Sequence, residues 1–186
     1  PFLREGGFLA PRSALTLARA GEEARLEGFA RQFEELGVRV ERLDRAGIAA
    51  RVPGLRPGWT TGALEPDCCD IDVAALHQHY LGEARRGGAE LRCKAGLIGG
   101  ERDGAGWLVR LADGDTVHCD TLVNAAGAWA DPVARLAGVA PLGIAPYRRT
   151  VAQLRVGPAA PPDLPLVLDI AETFYFKPES GRIWLS

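Results

Sequence analysis

Thr121-Leu122-Val123-Asn124-Ala125-Ala126-Gly127-Ala128-Trp129-Ala130-Asp131 decides how this chain is read. Its short apolar run, Leu122-Val123, is bounded by polar residues and reads as a strand. Side chains then vanish at Ala125-Ala126-Gly127. Trp129, Val133, Leu136 and Ala137 follow at helical spacing. The stretch is therefore expected to be a strand, a bare turn and a helix. A bare turn lets another backbone or a flat ligand come close. Two readings stay open: tight strand–helix packing, or a cofactor lying on the turn.

Immediately upstream, Asp72 can cap a helix whose apolar face is Val73, Leu76, Tyr80, Leu81 and Ala84, with Gly87-Gly88 at its end. Ala89 to Cys93, Leu97-Ile98, Trp107 to Leu111 and Thr116 to Cys119 are expected strands. Asp103-Gly104 and Asp113-Gly114 lie between them as hairpin signals. Gly99-Gly100-Glu101-Arg102-Asp103-Gly104 is glycine-rich, yet it fits neither GxGxxG nor GxxxxGK[ST]. It reads as a turn. No dinucleotide fingerprint occurs anywhere in the 186 residues.

The first third of the chain alternates strand and helix. Phe8 to Pro11 and Ala14 to Ala18 are extended. Gly21 to Leu36 is a helix, with Glu22-Glu23 at its start, a stripe of Leu26, Phe29, Phe33 and Leu36, and Gly37 as its stop. Val38 to Leu43 alternates like an exposed strand. Asp44 can cap a short helix running through Ile48 to Arg51, which Pro53-Gly54 ends. Trp59 to Leu64 is a further strand. The pattern fits a sheet covered on one side. After Gly138 prolines punctuate the chain; Tyr147 to Val156, Leu166 to Leu168, Thr173 to Lys177 and Arg182 to Leu185 are expected strands.

Composition removes several functions. The net charge is −2 and the 22 basic residues are spread out, so there is no footprint for nucleic acid. No apolar run approaches the ~20 residues that span a bilayer. Cys68, Cys69, Cys93 and Cys119 contain no CxxC and have no supporting Cys/His cluster, so no metal is expected. They read as reduced thiols of a cytoplasmic protein. His77 and His79 lie two apart, on different helix faces, and read as solvated or capping residues. The chain has no Met, begins Pro1-Phe2-Leu3 and ends in a strand-like Arg182-Ile183-Trp184-Leu185-Ser186; it is expected to be an internal piece of a longer protein.

Val123-Asn124-Ala125-Ala126-Gly127-Ala128-Trp129, followed by a short helix and Leu136-Ala137-Gly138, resembles the closing strand of the FAD domain in the D-amino-acid oxidase and glycine oxidase-like flavoenzymes. Asp70-Ile71-Asp72 with Leu76-His77-Gln78, Arg148-Arg149-Thr150, and Phe174-Tyr175-Phe176-Lys177-Pro178 resemble the FAD-dependent D-amino-acid dehydrogenase branch, and within it the D-arginine dehydrogenases. The resemblance covers nearly the whole chain. It implies an α+β fold: an α/β part of an FAD-binding domain, residues 66–140, plus substrate-domain parts, residues 1–65 and 141–186. The latter are expected to form a mixed, largely antiparallel sheet covered by helices.

The resemblance also implies roles. FAD would meet Ala125, Ala126 and Gly127, and the backbone at Gly96-Leu97 where relatives often carry Val. The family's glycine-rich phosphate turn is missing here, so these residues alone should hold FAD poorly. Arg148-Arg149 taken alone is an exposed basic pair, and strand alternation lets only one of them face a pocket. The resemblance selects Arg149 as the grip on a substrate carboxylate. Alternation puts Phe174 and Phe176 on one face and Tyr175 on the other. Tyr175 is either bonded to backbone or, as the resemblance implies, aimed at the same carboxylate. Glu5 alone is an exposed acid; the resemblance aligns it with the acid that receives a basic substrate side chain. The implied activity is hydride transfer from the Cα of an amino acid, of D configuration and with D-arginine as one candidate, to FAD. No protein nucleophile is needed. Oxygen or a quinone would be the electron acceptor. Two alternatives stand: a glycine/sarcosine-type oxidase or 2-hydroxy-acid dehydrogenase of the same family, and a non-catalytic substrate-binding module.

Overall fold

Ala14-Leu15-Thr16-Leu17-Ala18 is buried on both faces, which only the centre of a covered sheet provides. The computed structural model describes residues 2–186 and places this run there. The chain divides into two units. One holds the residues up to Tyr80 together with Arg149–Ser186; the other is Leu81–Arg148.

In the first unit, α1 (Phe2–Glu5) precedes β1 (Leu9–Pro11) and the central β2 (Ala14–Arg19). Next come α2 (Glu23–Glu35), β3 (Glu41–Leu43), α3 (Arg45–Arg51), β4 (Trp59–Glu65) and β5 (Cys69–Ile71). The helix α4 (Val73–Arg86) runs from this unit into the second. Later in the chain β9 (Ala152–Leu154), β10 (Leu166–Asp169), β11 (Tyr175–Glu179) and β12 (Arg182–Leu185) complete a seven-stranded sheet in the order β3-β4-β2-β10-β11-β12-β9. Its only parallel pairing among the described residues is β2 with β10; all other neighbours are antiparallel. The sheet is mixed and largely antiparallel, as expected. β1 and β5 make a separate two-stranded ribbon.

Helices lie on both faces of this sheet, not on one. Ile48 of α3 packs with Leu15, Leu17 and Leu64, while Leu26 and Ala30 of α2 pack with Ala18 and Ala63. Leu17 and Ala18, like Ala63 and Leu64, are neighbours in a strand and point to opposite faces. Gly62 makes the α3 side possible: a Cβ there would lie 2.7 Å from the Ile48 Cγ2 and 2.9 Å from the Leu15 Cδ1. The expected helix signals act as read. The Asp44 side chain accepts from the Gly47 N–H at 2.8 Å, and Gly37 ends α2 at φ +80°.

The second unit is a meander packed against a short helix. β6 (Leu97–Asp103), β7 (Gly106–Leu111) and β8 (Thr116–Cys119) form a three-stranded antiparallel sheet. Its two hairpins turn at Gly104 (φ +59°) and Gly114 (φ +93°). Residues Gly99 to Asp103, expected as a turn, belong to β6: pairing with Gly106 to Arg110 overrides the low strand preference of glycine. Ala89 to Cys93, expected as a strand, is not one. Arg92 is held by Asp113 and Asp115, and Lys94 turns the chain at φ +61°. A 3-10 turn, Gly127–Trp129, leads into α5 (Ala130–Leu136). Leu122-Val123, expected as a strand, is not one either. No described strand pairs with it, and Val123 is 78% exposed. Along the expected apolar stripe only Ala137 is buried. No residue of α4 is buried. His77 is exposed, as expected, whereas His79 is half-buried, its ring 5.3 Å from both Phe2 and Phe8.

One ion cluster fastens the ribbon to the large sheet. Asp70 of β5 accepts from Arg12 and from Lys177 of β11. Burial alone would raise the Asp70 carboxyl, but the bonds from Lys177 and Arg12 outweigh it and hold the group below its ordinary value. A carboxyl lowered in the folded state stabilises the fold above its unfolded value, ~3.9, and that contribution is lost as pH falls through the lowered folded value. Asp70→Asn is therefore expected to cost most above about pH 4, with the gap to wild type closing at lower pH. Denaturant unfolding as a function of pH checks this, and a pH-independent gap would contradict it.

Candidate functional site

Two surfaces carry the expected site residues, one in each unit. In the second unit the bare turn is held by its own neighbour. Asn124 accepts from the Ala126 N–H at 3.2 Å and donates its amide to the Ala130 carbonyl at 2.8 Å. One side chain thus ties the middle of Ala125-Ala126-Gly127 to the first residue of α5. Asp131, only 6% exposed, accepts backbone N–H bonds from Leu142 (3.0 Å), Gly143 (2.9 Å) and Ile144 (3.0 Å). It fixes the segment after α5 onto the start of that helix. Sequence reasoning missed both residues. The available signals were an Asn placed two residues before a backbone turn, and an Asp in the first turn of a helix.

The turn fits a flat cofactor on a direct geometric test. Gly127 sits at φ +55°, and a Cβ built on it meets no heavy atom within 4 Å. The space in front of it is open, so packing of strand on helix does not account for the missing side chain. At Gly96 a Cβ also meets nothing within 4 Å. The Gly96 carbonyl accepts from the Ala112 N–H at 2.8 Å and keeps a second lone pair. Leu97 begins β6 opposite Leu111. Gly96, Leu97, Ala125, Ala126 and Gly127, which the resemblance assigns to FAD, all lie in this unit, with open space in front of Gly96 and Gly127.

In the first unit the large sheet sorts the Phe174 to Lys177 stretch as alternation demands. Phe174 and Phe176 stack at 6.2 Å between centroids and pack onto the core of Leu15, Leu17 and Val167. Tyr175 takes the other face, and the Arg149 guanidinium carbon lies 5.5 Å from its ring centroid. The Tyr175 backbone pairs with Ser186 in both directions, at 2.8 and 3.0 Å. Hydrogen bonding to Ser186, then to Arg149, lowers the Tyr175 phenol from its ordinary value. The structure therefore brings Arg149 and Tyr175 together. The route to Arg149 was different from the one read in the sequence. Tyr147 to Val151 is not a strand; β9 begins only at Ala152, where its ladder with β12 stops at Leu185. Strand alternation consequently says nothing about Arg148 and Arg149. Glu5 ends α1 and is exposed. Among the described residues no hydrogen bond or ion pair links it to Arg149 or Tyr175.

The remaining chemistry-bearing groups are quickly placed. Cys68, Cys69, Cys93 and Cys119 are all unpaired. No helix among the described residues is long and apolar enough to cross a membrane.

Comparison with known proteins gives consistent results. A family profile described as "FAD dependent oxidoreductase" (DAO) matches residues 3–186. Among curated proteins, the hydrogen cyanide synthase subunit HcnC of Pseudomonas aeruginosa is 35% identical over 114 residues, which are 60% of this chain and 27% of that protein. Among solved structures, glycine oxidase from Geobacillus kaustophilus superposes with a TM-score of 0.73 at 20% identity, over 98% of this chain and 50% of that one. L-Proline dehydrogenase from P. horikoshii gives a TM-score of 0.75 at 18% identity, over 99% and 50%. Iminodiacetate oxidase from Chelativorans sp. BNC1 gives 0.70 at 23%, over 100% and 51%. At these identities the structures establish the fold alone. The chain spans about half the length of the solved structures and about a quarter of the curated relative.

A side chain at Gly127 should test the cofactor surface directly. In the intact protein Gly127→Val is expected to abolish flavin binding. The left-handed backbone adds only about 1–2 kcal/mol of strain, so the fold should survive. Flavin content and thermal melting read the two effects separately. Retained flavin would show that the turn serves no ligand.

Proposed function

The chain belongs to the FAD dependent oxidoreductase (DAO) family, and from that premise we propose that it is part of an enzyme oxidising the Cα–N bond of an amino acid to an imino acid. Within this proposal, residues 66–140 contribute to the cofactor domain, and residues 1–65 and 141–186 to the substrate domain. The observation that carries the reading is the Arg149 guanidinium set over Tyr175, on the sheet face opposite the stacked phenylalanines. A planar guanidinium and a phenol side by side match a carboxylate, which takes two parallel N–H bonds from the one and an O–H bond from the other. Held at its carboxylate, the substrate presents its Cα–H in one orientation. FAD, when bound, supplies the acceptor for the hydride. The protein's task is positioning, because transfer needs the reacting atoms within ~3–3.5 Å. No side chain has to act as a nucleophile.

The D configuration and a cationic side chain, with D-arginine as the candidate, are the finer part of the proposal. The D configuration rests on the resemblance alone; the basis for the cationic side chain is Glu5, an exposed carboxylate in the same unit as Arg149 and Tyr175, able to pair with a guanidinium. The four unpaired thiols support a cytoplasmic location. Either oxygen or a quinone is the proposed electron acceptor.

A screen of the intact, flavin-loaded protein against D- and L-amino acids, glycine and sarcosine tests the activity. Arg149→Met is expected to lower kcat/KM by about tenfold to a hundredfold, the value of a charge-assisted bond of roughly 1.5–3 kcal/mol, while Arg148→Met stays near wild type. The reverse pattern would move the anchor to Arg148. Glu5→Gln is expected to raise KM for D-arginine far more than for D-leucine, since the contact is remote from the reacting carbon. An equal effect on both would remove Glu5 from the side-chain pocket.

A further inference from the structure

Two stretches singled out by their sequence, Asp70-Ile71-Asp72 and Phe174 to Pro178, meet in the structure through residues that have no role so far. Asp70 accepts on Oδ2 from the Arg12 Nε at 2.7 Å and Nη2 at 2.7 Å. It accepts on Oδ1 from the Lys177 Nζ at 2.9 Å. The side chains of Arg12, Asp70 and Lys177 are 15%, 27% and 24% exposed, so all three are largely withdrawn from water. Arg12 Nη1 also donates to the carbonyls of Pro162 (2.7 Å) and Leu164 (3.0 Å), which lead into β10. The cluster therefore joins the β1–β5 ribbon, the approach to β10, and β11.

Lys177 follows Tyr175 by two residues on β11, so the two side chains leave the same face ~6.5 Å apart. A lysine stem is long and flexible, and a free ammonium at this position could reach over Tyr175. Two things restrain it. Asp70 binds the Nζ, and the ring of Trp184, the cross-strand partner of Lys177, lies 5.9 Å from it. Glu179 adds a weaker contact at 3.6 Å.

We infer that Asp70 is a positioning residue for the carboxylate anchor: with Arg12 it keeps the Lys177 ammonium off Tyr175, so that Arg149 is the cation that faces the phenol and sets the substrate's orientation. This rests on the reading of Arg149 and Tyr175 as the anchor. Asp70 touches no substrate; it acts through Lys177. Without the Asp70 charge, Arg12 keeps only the Pro162 and Leu164 carbonyls and Lys177 only the weaker Glu179 contact beside the Trp184 ring. The mobile one moves, and the face then offers a carboxylate a second, wrongly placed partner.

The test uses the intact FAD-loaded protein and benzoate, a carboxylate without a reacting amine, whose binding is read from the change in flavin absorbance. A kinetic arm measures KM and kcat on the best amino acid of the screen. Asp70→Asn is expected to change benzoate Kd and raise KM by about tenfold, the scale of one charge-assisted bond, with kcat within about twofold. Adding Lys177→Met to Asp70→Asn is expected to restore most of the loss, because the displaced ammonium is gone. Asp70→Glu, which keeps the charge, should retain wild-type values. A purely structural role for Asp70 predicts the opposite: the double variant would be as poor as the single one or worse. That result, or an unchanged KM in Asp70→Asn, overturns the inference. If Asp70→Asn fails to load flavin, Lys177→Met alone decides: benzoate Kd within about threefold of wild type supports the inference, and a large loss makes Lys177 the anchor itself and refutes it. Arg149→Met, run in parallel, separates the two ideas. Unchanged benzoate binding there would fail the anchor reading and this inference with it, whereas a loss there with no change in Asp70→Asn would fail the role of Asp70 alone.

Discussion

The parallel pairing of β2 with β10 is the constraint on which the large sheet depends. Its register sets Ala14 against Leu166, Leu15 against Val167, Thr16 against Leu168 and Leu17 against Asp169. The two strands are about 150 residues apart in sequence. Closing so long a loop costs little more than closing a shorter one, since the entropy grows only with the logarithm of length. What offsets it is burial: Leu15, Leu17 and Val167 are wholly shielded from water. On one side β2 carries β4 and β3; on the other β10 carries β11, β12 and β9. A slip of one residue in β10 would turn Phe176 outward and Tyr175 into the core. The position of the proposed anchor is thus decided by apolar side chains on the opposite face.

Local punctuation made much of this fold legible. Helices bounded by a capping Asp and a positive-φ glycine, such as α3 and α4, and hairpins turned by Asp-Gly, were read within a residue or two. Strands were read well where the partner was another strong strand, as in β2 and β4. They were misread where the partner decides. Leu122-Val123 has strand composition and no ladder among the described residues, whereas Gly99 to Asp103 has turn composition and a complete ladder with β7. Strand preference is a statement about neighbours, and a sequence window does not contain them. The helices on both faces escaped notice because Ala18 and Ala63 are too small to announce a buried surface.

The candidate site divides in the same way. Ala125-Ala126-Gly127 was legible as missing side chains, and the space before Gly127 is open. The alternation of Phe174, Tyr175 and Phe176 was legible and is observed. The contacts that hold these groups in place were not. Asn124 reaches only six residues ahead, to the Ala130 carbonyl, but its role depends on the turn geometry. Asp70 and Lys177 are 107 residues apart, and nothing local in either stretch names the other. Residues that would touch a ligand leave a compositional trace; residues that hold those in place leave it only in three dimensions.

The central claim is that an amino acid, held at its carboxylate by this chain, gives up its Cα hydrogen as a hydride to a bound flavin. The most direct measurement is anaerobic rapid mixing of the intact, flavin-loaded protein with amino acids, following the flavin absorbance. The account predicts bleaching by at least one amino acid, slower when the Cα hydrogen is replaced by deuterium, and slower by about tenfold to a hundredfold at equal, subsaturating concentration in Arg149→Met. A loaded flavin that no amino acid bleaches, or bleaching indifferent to both the isotope and Arg149, would contradict it.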